Sequence, residues 1–119
     1  MCLFQKHVKK FIKINSAEEL RQQLIKIIGN YQSNYPNELI PVVSDLCNMI
    51  AKLLTDPCPE VKIKLSELLI NLSSKLNKVI GPHTKGIIQS LCNNLKHQHN
   101  KIRKITVIVI YLFKFISSH

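Results

Sequence analysis

His83, Cys92, His97 and His99 are the side chains of this sequence that invite a metal. Zinc sites gather imidazole and thiolate at short, repeated spacings. Here the spacing works against a shared site. His97 and His99 stand two apart in the break His97-Gln98-His99-Asn100, so they do not share a helix face. His83 belongs at the opposite end of its helix from that break, and Cys92 falls on an apolar stripe. No metal is expected, and His97 and His99 read as caps of helix ends through ring nitrogens or backbone contacts. Nucleophilic chemistry finds no better support. Ser66, Ser73, Ser74 and Ser90 lie in helical patterns without a glycine elbow, and neither GxGxxG nor GxxxxGK[ST] occurs. No catalytic or cofactor-binding residue is assigned, and the chain is expected not to be an enzyme. Asn71-Leu72-Ser73 fits a glycosylation sequon, expected to be silent in a cytosolic helix with Leu72 in the core.

The elements that carry these residues follow from composition. The chain has 119 residues, 45% of them apolar, which fits one compact unit with a modest core. With only 3 Gly, 5 Pro and no Trp, and with abundant Leu, Ile and Lys, it points to helices joined by short turns. The longest apolar run, Ile105 to Phe113, is about half of the ~18 residues that crossing a membrane requires. Met1 to Ile14 carries Lys6, Lys9, Lys10 and Lys13 among its apolar residues and is no signal-peptide core. A cytoplasmic chain without membrane contact is expected. The cysteines Cys2, Cys47, Cys58 and Cys92 form no CxxC pair; Cys47 and Cys92 are expected as buried free thiols in a reducing compartment. The net charge of +10, from 17 Lys+Arg against 7 Asp+Glu, suits an acidic partner or nucleic acid. Lysines spread along the chain, with 2 Arg and no long basic run, fit a solvated surface better.

Internal repetition decides the fold class. When residues 37–77 are set above 78–118, a shift of 41, Pro41 meets Pro82, Ile50 meets Leu91, Ala51 meets Cys92 and Leu54 meets Leu95. Val61-Lys62 meets Ile102-Arg103, and Leu68, Leu69 and Leu72 meet Val109, Ile110 and Phe113. In the other direction Val61-Lys62 meets Leu20-Arg21, while Leu65, Leu68, Leu69 and Leu72 meet Leu24, Ile27, Ile28 and Tyr31. Thr106, opposite Leu24 and Leu65, is the polar exception. Within a unit, Val61, Leu65, Leu68, Leu69 and Leu72 follow the i, i+4, i+7, i+8, i+11 spacing of one helical face.

Six helices are predicted, over about 3–13, 17–33, 38–54, 59–76, 83–96 and 100–116. Ser16 and Glu19 form a capping box, and Pro41 and Pro59 occupy first turns, where a missing N–H costs little. The β-branched run Ile105 to Tyr111 has strand propensity, yet the register places it on Leu65–Leu72, so it is assigned to helix. The expected fold is all-α: an α-solenoid of about three helical hairpins in one domain, with repeats at about 1–36, 37–77 and 78–119.

The turn Asp56-Pro57-Cys58-Pro59-Glu60-Val61-Lys62 resembles the inter-helix turn of HEAT repeats, an Asp followed by Val-Arg or Val-Lys. The resemblance implies a ladder in which the acid of one repeat meets the base of a neighbour. Asp56 would pair with Lys62, Arg103 or Arg21, while Asn15 and His97 replace the acid in the other units. An exposed pair of this kind is worth ~0–1 kcal/mol. Asp56, Pro59, Lys62, His97 and Arg103 are the expected turn and ladder residues.

Residues 15–113 are similar more closely to the HEAT-repeat axonemal dynein assembly factors. The similarity rests on the Asp56 turn, Ile80-Gly81-Pro82, Asn94 to Arg103, and Glu18-Glu19-Leu20-Arg21-Gln22-Gln23-Leu24. After Arg103 the chain departs from that family, with Ile, Val and Phe where small residues are usual. The resemblance implies a cytoplasmic scaffold of ciliated cells, part of a longer array, that helps dynein intermediate and heavy chains assemble with chaperone co-factors. A HEAT module of a transport or phosphatase scaffold, or a basic nucleic-acid-binding HEAT-like domain, is the alternative, although nucleic acid is the less expected partner. The candidate partner face is the polar stripe of the inner helices: Arg21, Gln22, Lys62, Lys64, Glu67, Asn71, Arg103 and Lys104. Of these, Arg21, Lys62, Lys64, Arg103 and Lys104 are the expected contacts for an acidic protein surface. The last helix is apolar around most of its circumference, so self-association of the isolated chain is expected.

Overall fold

The computed structural model describes residues 18–118. Among them there is no strand. The long helices are α1 (Glu18–Asn34), α3 (Val43–Leu53), α4 (Pro59–Lys75), α6 (Lys85–Asn94) and α7 (Asn100–Ser118). Short α2 (Pro36–Leu39) and α5 (Asn77–Ile80) precede 3-10 turns at Ile40–Val42 and Gly81–His83. The expected helix at 3–13, the Ser16 cap and Asn15 lie outside the described residues.

The 41-residue register is visible in the backbone. α4 and α7 begin at residues 59 and 100, and the two 3-10 turns begin at 40 and 81. α1 packs on α4 and α4 on α7, forming one layer; α3 packs on α6 to form the second. Short turns fold α3 back on α4 and α6 back on α7, as helix hairpins require.

Local chemistry sets the breaks. Pro59 takes the first position of α4, where no intrahelical N–H is needed, and Cys58 before it is extended at φ −73° and ψ 121°. The helices expected over 38–54 and 83–96 are shorter than predicted. Pro41 and Pro82 sit not in α-helical first turns but inside the 3-10 turns, so the α-helices start at Val43 and Lys85. A proline cannot donate to the α-helical ladder and crowds the preceding turn, so the chain tightens there before the helix proper begins. In the last helix, the β-branched run Ile105 to Tyr111 is α-helical, as the register requires.

The core lies between the layers. Leu24, Ile28, Leu65, Leu69, Val109 and Phe113 supply it from α1, α4 and α7; Leu46, Ile50, Ile87 and Leu91 supply it from α3 and α6. Each fully buried Leu or Ile contributes about 1.5–3 kcal/mol of burial free energy. Two matched positions depart from this pattern. Leu95, opposite the buried Leu54, is exposed, and so is Cys92. Cys92 is therefore not the buried thiol its stripe suggested. The packing face of α6 runs through Ile87, Leu91 and Asn94, and Cys92 stands one residue, about 100°, off that line. Cys47 is buried as expected, and burial pushes its thiol up to about 11.

Thr106 occupies the fully buried position that Leu24 and Leu65 fill in the other units, and its hydroxyl has no hydrogen-bond partner. Burying an unpaired hydroxyl costs on the order of 1–3 kcal/mol. Thr106→Val keeps the shape and removes that cost, so calorimetry should show stabilisation of about 1 kcal/mol.

Candidate partner-binding face

The expected ladder exists, and it fixes which basic residues remain at the surface. Arg21 on α1 pairs with Asp56 in the turn before α4, through Nε to Oδ2 and Nη2 to Oδ1, the latter at 3.5 Å. Of the three candidate bases, Arg21 is the one that forms the pair. Asp56 is buried, not exposed, and its Oδ1 also accepts the Cys58 N–H at 2.8 Å. The base of one repeat thus grips the turn of the next while the carboxylate orders that turn.

Lys62, one repeat on from Arg21, faces a unit in which His97 has replaced the acid. It donates instead to Leu54 O at 2.8 Å and to Asn94 Oδ1 at 2.6 Å, and only 6% of it is exposed. Lys62 is therefore a buried link between repeats, not an accessible contact for a partner. Burial lowers its pKa, and the Asp56 carboxylate offsets part of that. Arg103 is half-buried and engaged in its own turn. It donates to His97 O at 2.6 Å and Gln98 O at 3.0 Å, closing the turn before α7.

His97 reproduces the local role of Asp56 with a ring nitrogen. Its Nδ1 accepts the His99 N–H at 3.1 Å, the counterpart of the Asp56–Cys58 bond 41 residues earlier. The two imidazoles stack with centroids 5.1 Å apart; the turn brings together rings that helical spacing would separate. Partial desolvation, then the positive neighbours His99, Lys62 and Arg103, hold the His97 pKa below 6.5. As pH falls, the unfolded chain takes the proton first. The stability present above 6.5 is then lost as pH drops through the folded value. His97→Asp keeps the acceptor and sets a carboxylate near Lys62. It should raise Tm at neutral pH and remove the wild-type loss of stability as pH falls below 6.5, measured by thermal melts.

Three of the remaining stripe residues, Lys64, Glu67 and Asn71, line a groove of about 380 Å³ along α1 and α4, together with Lys26 and Gln32. Lys64 donates to Gln22 Oε1 at 2.5 Å, and Gln22 Nε2 donates to Glu18 Oε1 at 2.8 Å. Glu67, Asn71 and Lys104 are exposed, with Lys104 on α7 away from the groove. Lys26 and Asn94 were missed at the sequence level. The register aligns Lys26 with Glu67 on the same rim, a signal that was available, whereas the role of Asn94 depends on a Lys62 contact across 32 residues. Among the described residues no three His, Cys, Asp or Glu side chains converge as metal ligands.

Two layers of helix hairpins with a 41-residue step and an inter-repeat ladder define the architecture to be compared with known proteins. The profile of the family described as "Dynein axonemal assembly factor 5-like, TPR repeats" matches residues 2–113. The chain belongs to the dynein axonemal assembly factor 5-like family. A curated relative, dynein axonemal assembly factor 5 of Xenopus laevis, is 21% identical over 90 residues, which cover 76% of this chain and 11% of the relative. The chain thus spans about a tenth of the length of that protein. No solved structure matches significantly. The family description speaks of TPR repeats, whose period is about 34 residues; the step here is nearer the ~40–47 of HEAT and armadillo units.

Proposed function

We propose that this chain is a protein-binding scaffold module of axonemal dynein arm assembly, acting in the cytoplasm of ciliated cells and without catalytic activity of its own. The observation that carries the reading is the assembly-factor family match over residues 2–113. In this proposal the chain forms one repeat domain, with units at about 1–36, 37–77 and 78–119. Lys104, exposed on α7, and Lys64, half-buried at the groove and bonded to Gln22, are the bases that meet an acidic surface of a dynein intermediate or heavy chain, presented with chaperone co-factors. Arg21, Lys62 and Arg103 support that face, since their bonds hold the turns and the neighbouring repeats.

The test uses the full chain with Lys64→Glu and Lys104→Glu together. Lys104 is exposed and Lys64 half-buried at the groove rim, so the helical content should be unchanged. Capture of dynein intermediate chain from ciliated-cell extract should fall about tenfold, the loss expected when rim charges oppose a charged partner. Capture equal to wild type would remove these two residues from the interface; no capture even by wild type would remove the dynein partner.

A further inference from the structure

Two residues of α1 work against stability, and both line the groove between α1 and α4. Gly29 is the first. A glycine inside a helix is less favourable than alanine and calls for a reason. The backbone supplies none, since no described residue has a positive φ. Crowding supplies none either. A Cβ built on Gly29 would meet one atom, Leu68 Cδ1, at 3.7 Å, which is an ordinary contact. In the 41-residue register Gly29 stands where α4 has Ile70, a half-buried side chain packed against the core. The missing side chain leaves a niche in the groove, with Ile25 and Leu68 as its apolar neighbours.

Gln32, three residues further along α1, is the second. It is 2% exposed, lines the same groove, and its Oε1 has no hydrogen-bond partner. A buried unpaired amide oxygen is unfavourable. Its counterpart Ser73 is also buried, but donates to Ile70 O at 2.7 Å. Residues that break local rules of stability gather at functional sites, where a ligand offsets the loss.

The rest of the lining narrows the ligand. Gln32, Ser33 and Asn71 offer amide and hydroxyl groups that both donate and accept, as a peptide main chain requires. Lys26 and Lys64 stand where the groove joins a second recess of about 230 Å³, which Glu19, Gln22 and Gln23 also line. The apolar surface is confined to Ile25, Gly29 and Leu68, which is too narrow for the apolar face of a helix. Glu19 and Glu67 disfavour a phosphate chain. From Glu19 to Ser33 the lining follows about 20 Å of helix, a distance that an extended segment of about six residues spans.

We propose that the α1–α4 groove binds an extended segment of a partner protein. The segment sets one aliphatic side chain in the niche over Gly29, its main chain against the Gln32 amide, and a carboxylate beside Lys26 and Lys64. The inference rests on the protein-scaffold reading and names the partner's chemistry.

The test selects a phage library of random peptides of about eight residues on the full chain, then measures the affinity of the enriched peptides by fluorescence anisotropy. The enriched peptides should carry Val, Leu or Ile near an Asp or Glu. Gly29→Ile, which installs the residue that α4 has at this position, should weaken them about tenfold while the melting temperature stays at or above wild type. Gly29→Ala, a smaller filling, should raise the melting temperature and weaken them less. Gln32→Leu should raise the melting temperature and weaken them about fivefold, the loss of one hydrogen bond. An amide with a purely structural role would not lower the affinity. If Gly29→Ile loses its helical circular dichroism, Gly29→Ala and Gln32→Leu decide the question. Failure to enrich any peptide, or affinities that none of the variants changes, overturns the proposal. So does enrichment of lysine-rich peptides, or displacement of the peptides by poly-uridine RNA. If the peptide result fails while dynein capture persists, the groove falls and the scaffold stands. If the peptides bind as expected while dynein capture is absent, the groove stands and the dynein partner falls.

Discussion

Leu65→Ala should destabilise the fold by about 3–5 kcal/mol, a large share of what holds a domain of this size together. Leu65 is fully buried at the middle of α4, the helix that packs on α1 on one side and α7 on the other. Neither neighbour can move in to fill the space without losing its own stacking. Both the transfer loss and the cavity term are therefore felt. Chemical denaturation of the full chain should show the midpoint shift with little change in slope. The same substitution at Leu95, which is exposed, should change stability by less than about 0.5 kcal/mol. A Leu65→Ala loss below about 1 kcal/mol would mean that the three-helix layer is not the core of the molecule.

The second large effect is expected at Asp56. Asp56→Ala removes the partner of Arg21 and the acceptor of the Cys58 N–H, and it removes the carboxylate that offsets the burial of Lys62. Breaking a buried pair costs about 3–5 kcal/mol, and the partial exposure of Arg21 brings the expected loss to about 2–4 kcal/mol. Asp56→Asn should recover part of that loss, because its amide oxygen can still accept the Cys58 N–H. Arg21→Met combined with Asp56→Ala should cost less than the sum of the single changes, since the pair is lost once in the double variant but counted twice in the sum. Strict additivity in that cycle would show that the ladder carries no coupling between repeats.

Particular residues show where sequence reading reached and where it stopped. The recurrence of Pro41 in Pro82, and of Val61-Lys62 in Ile102-Arg103, was enough to place the turns and to keep Ile105 to Tyr111 helical against its strand propensity. That worked because stacked hairpins share one core, so the same chemistry must return at the same step. The partner of Asp56 was narrowed to three bases but not chosen, since the choice depends on which repeat lies beside the turn. Lys62 was read as a surface cation because Lys is rarely buried. Only the fold shows Leu54 O and Asn94 Oδ1 waiting at hydrogen-bond distance in a dry site. Cys92 was misplaced by a single residue of helical phase.

By itself, the sequence determined the all-α class, the 41-residue step, the breaks at Asp56–Pro59 and His97–Asn100, and most of the apolar positions that pack. These depend on periodicity and on local backbone chemistry, which neighbouring residues carry between them. Tertiary structure alone decided the Arg21–Asp56 pair, the burial of Lys62 and the bonds by which Arg103 closes the turn before α7. Each depends on which side chain another helix covers, and that is set by packing between segments far apart in the chain.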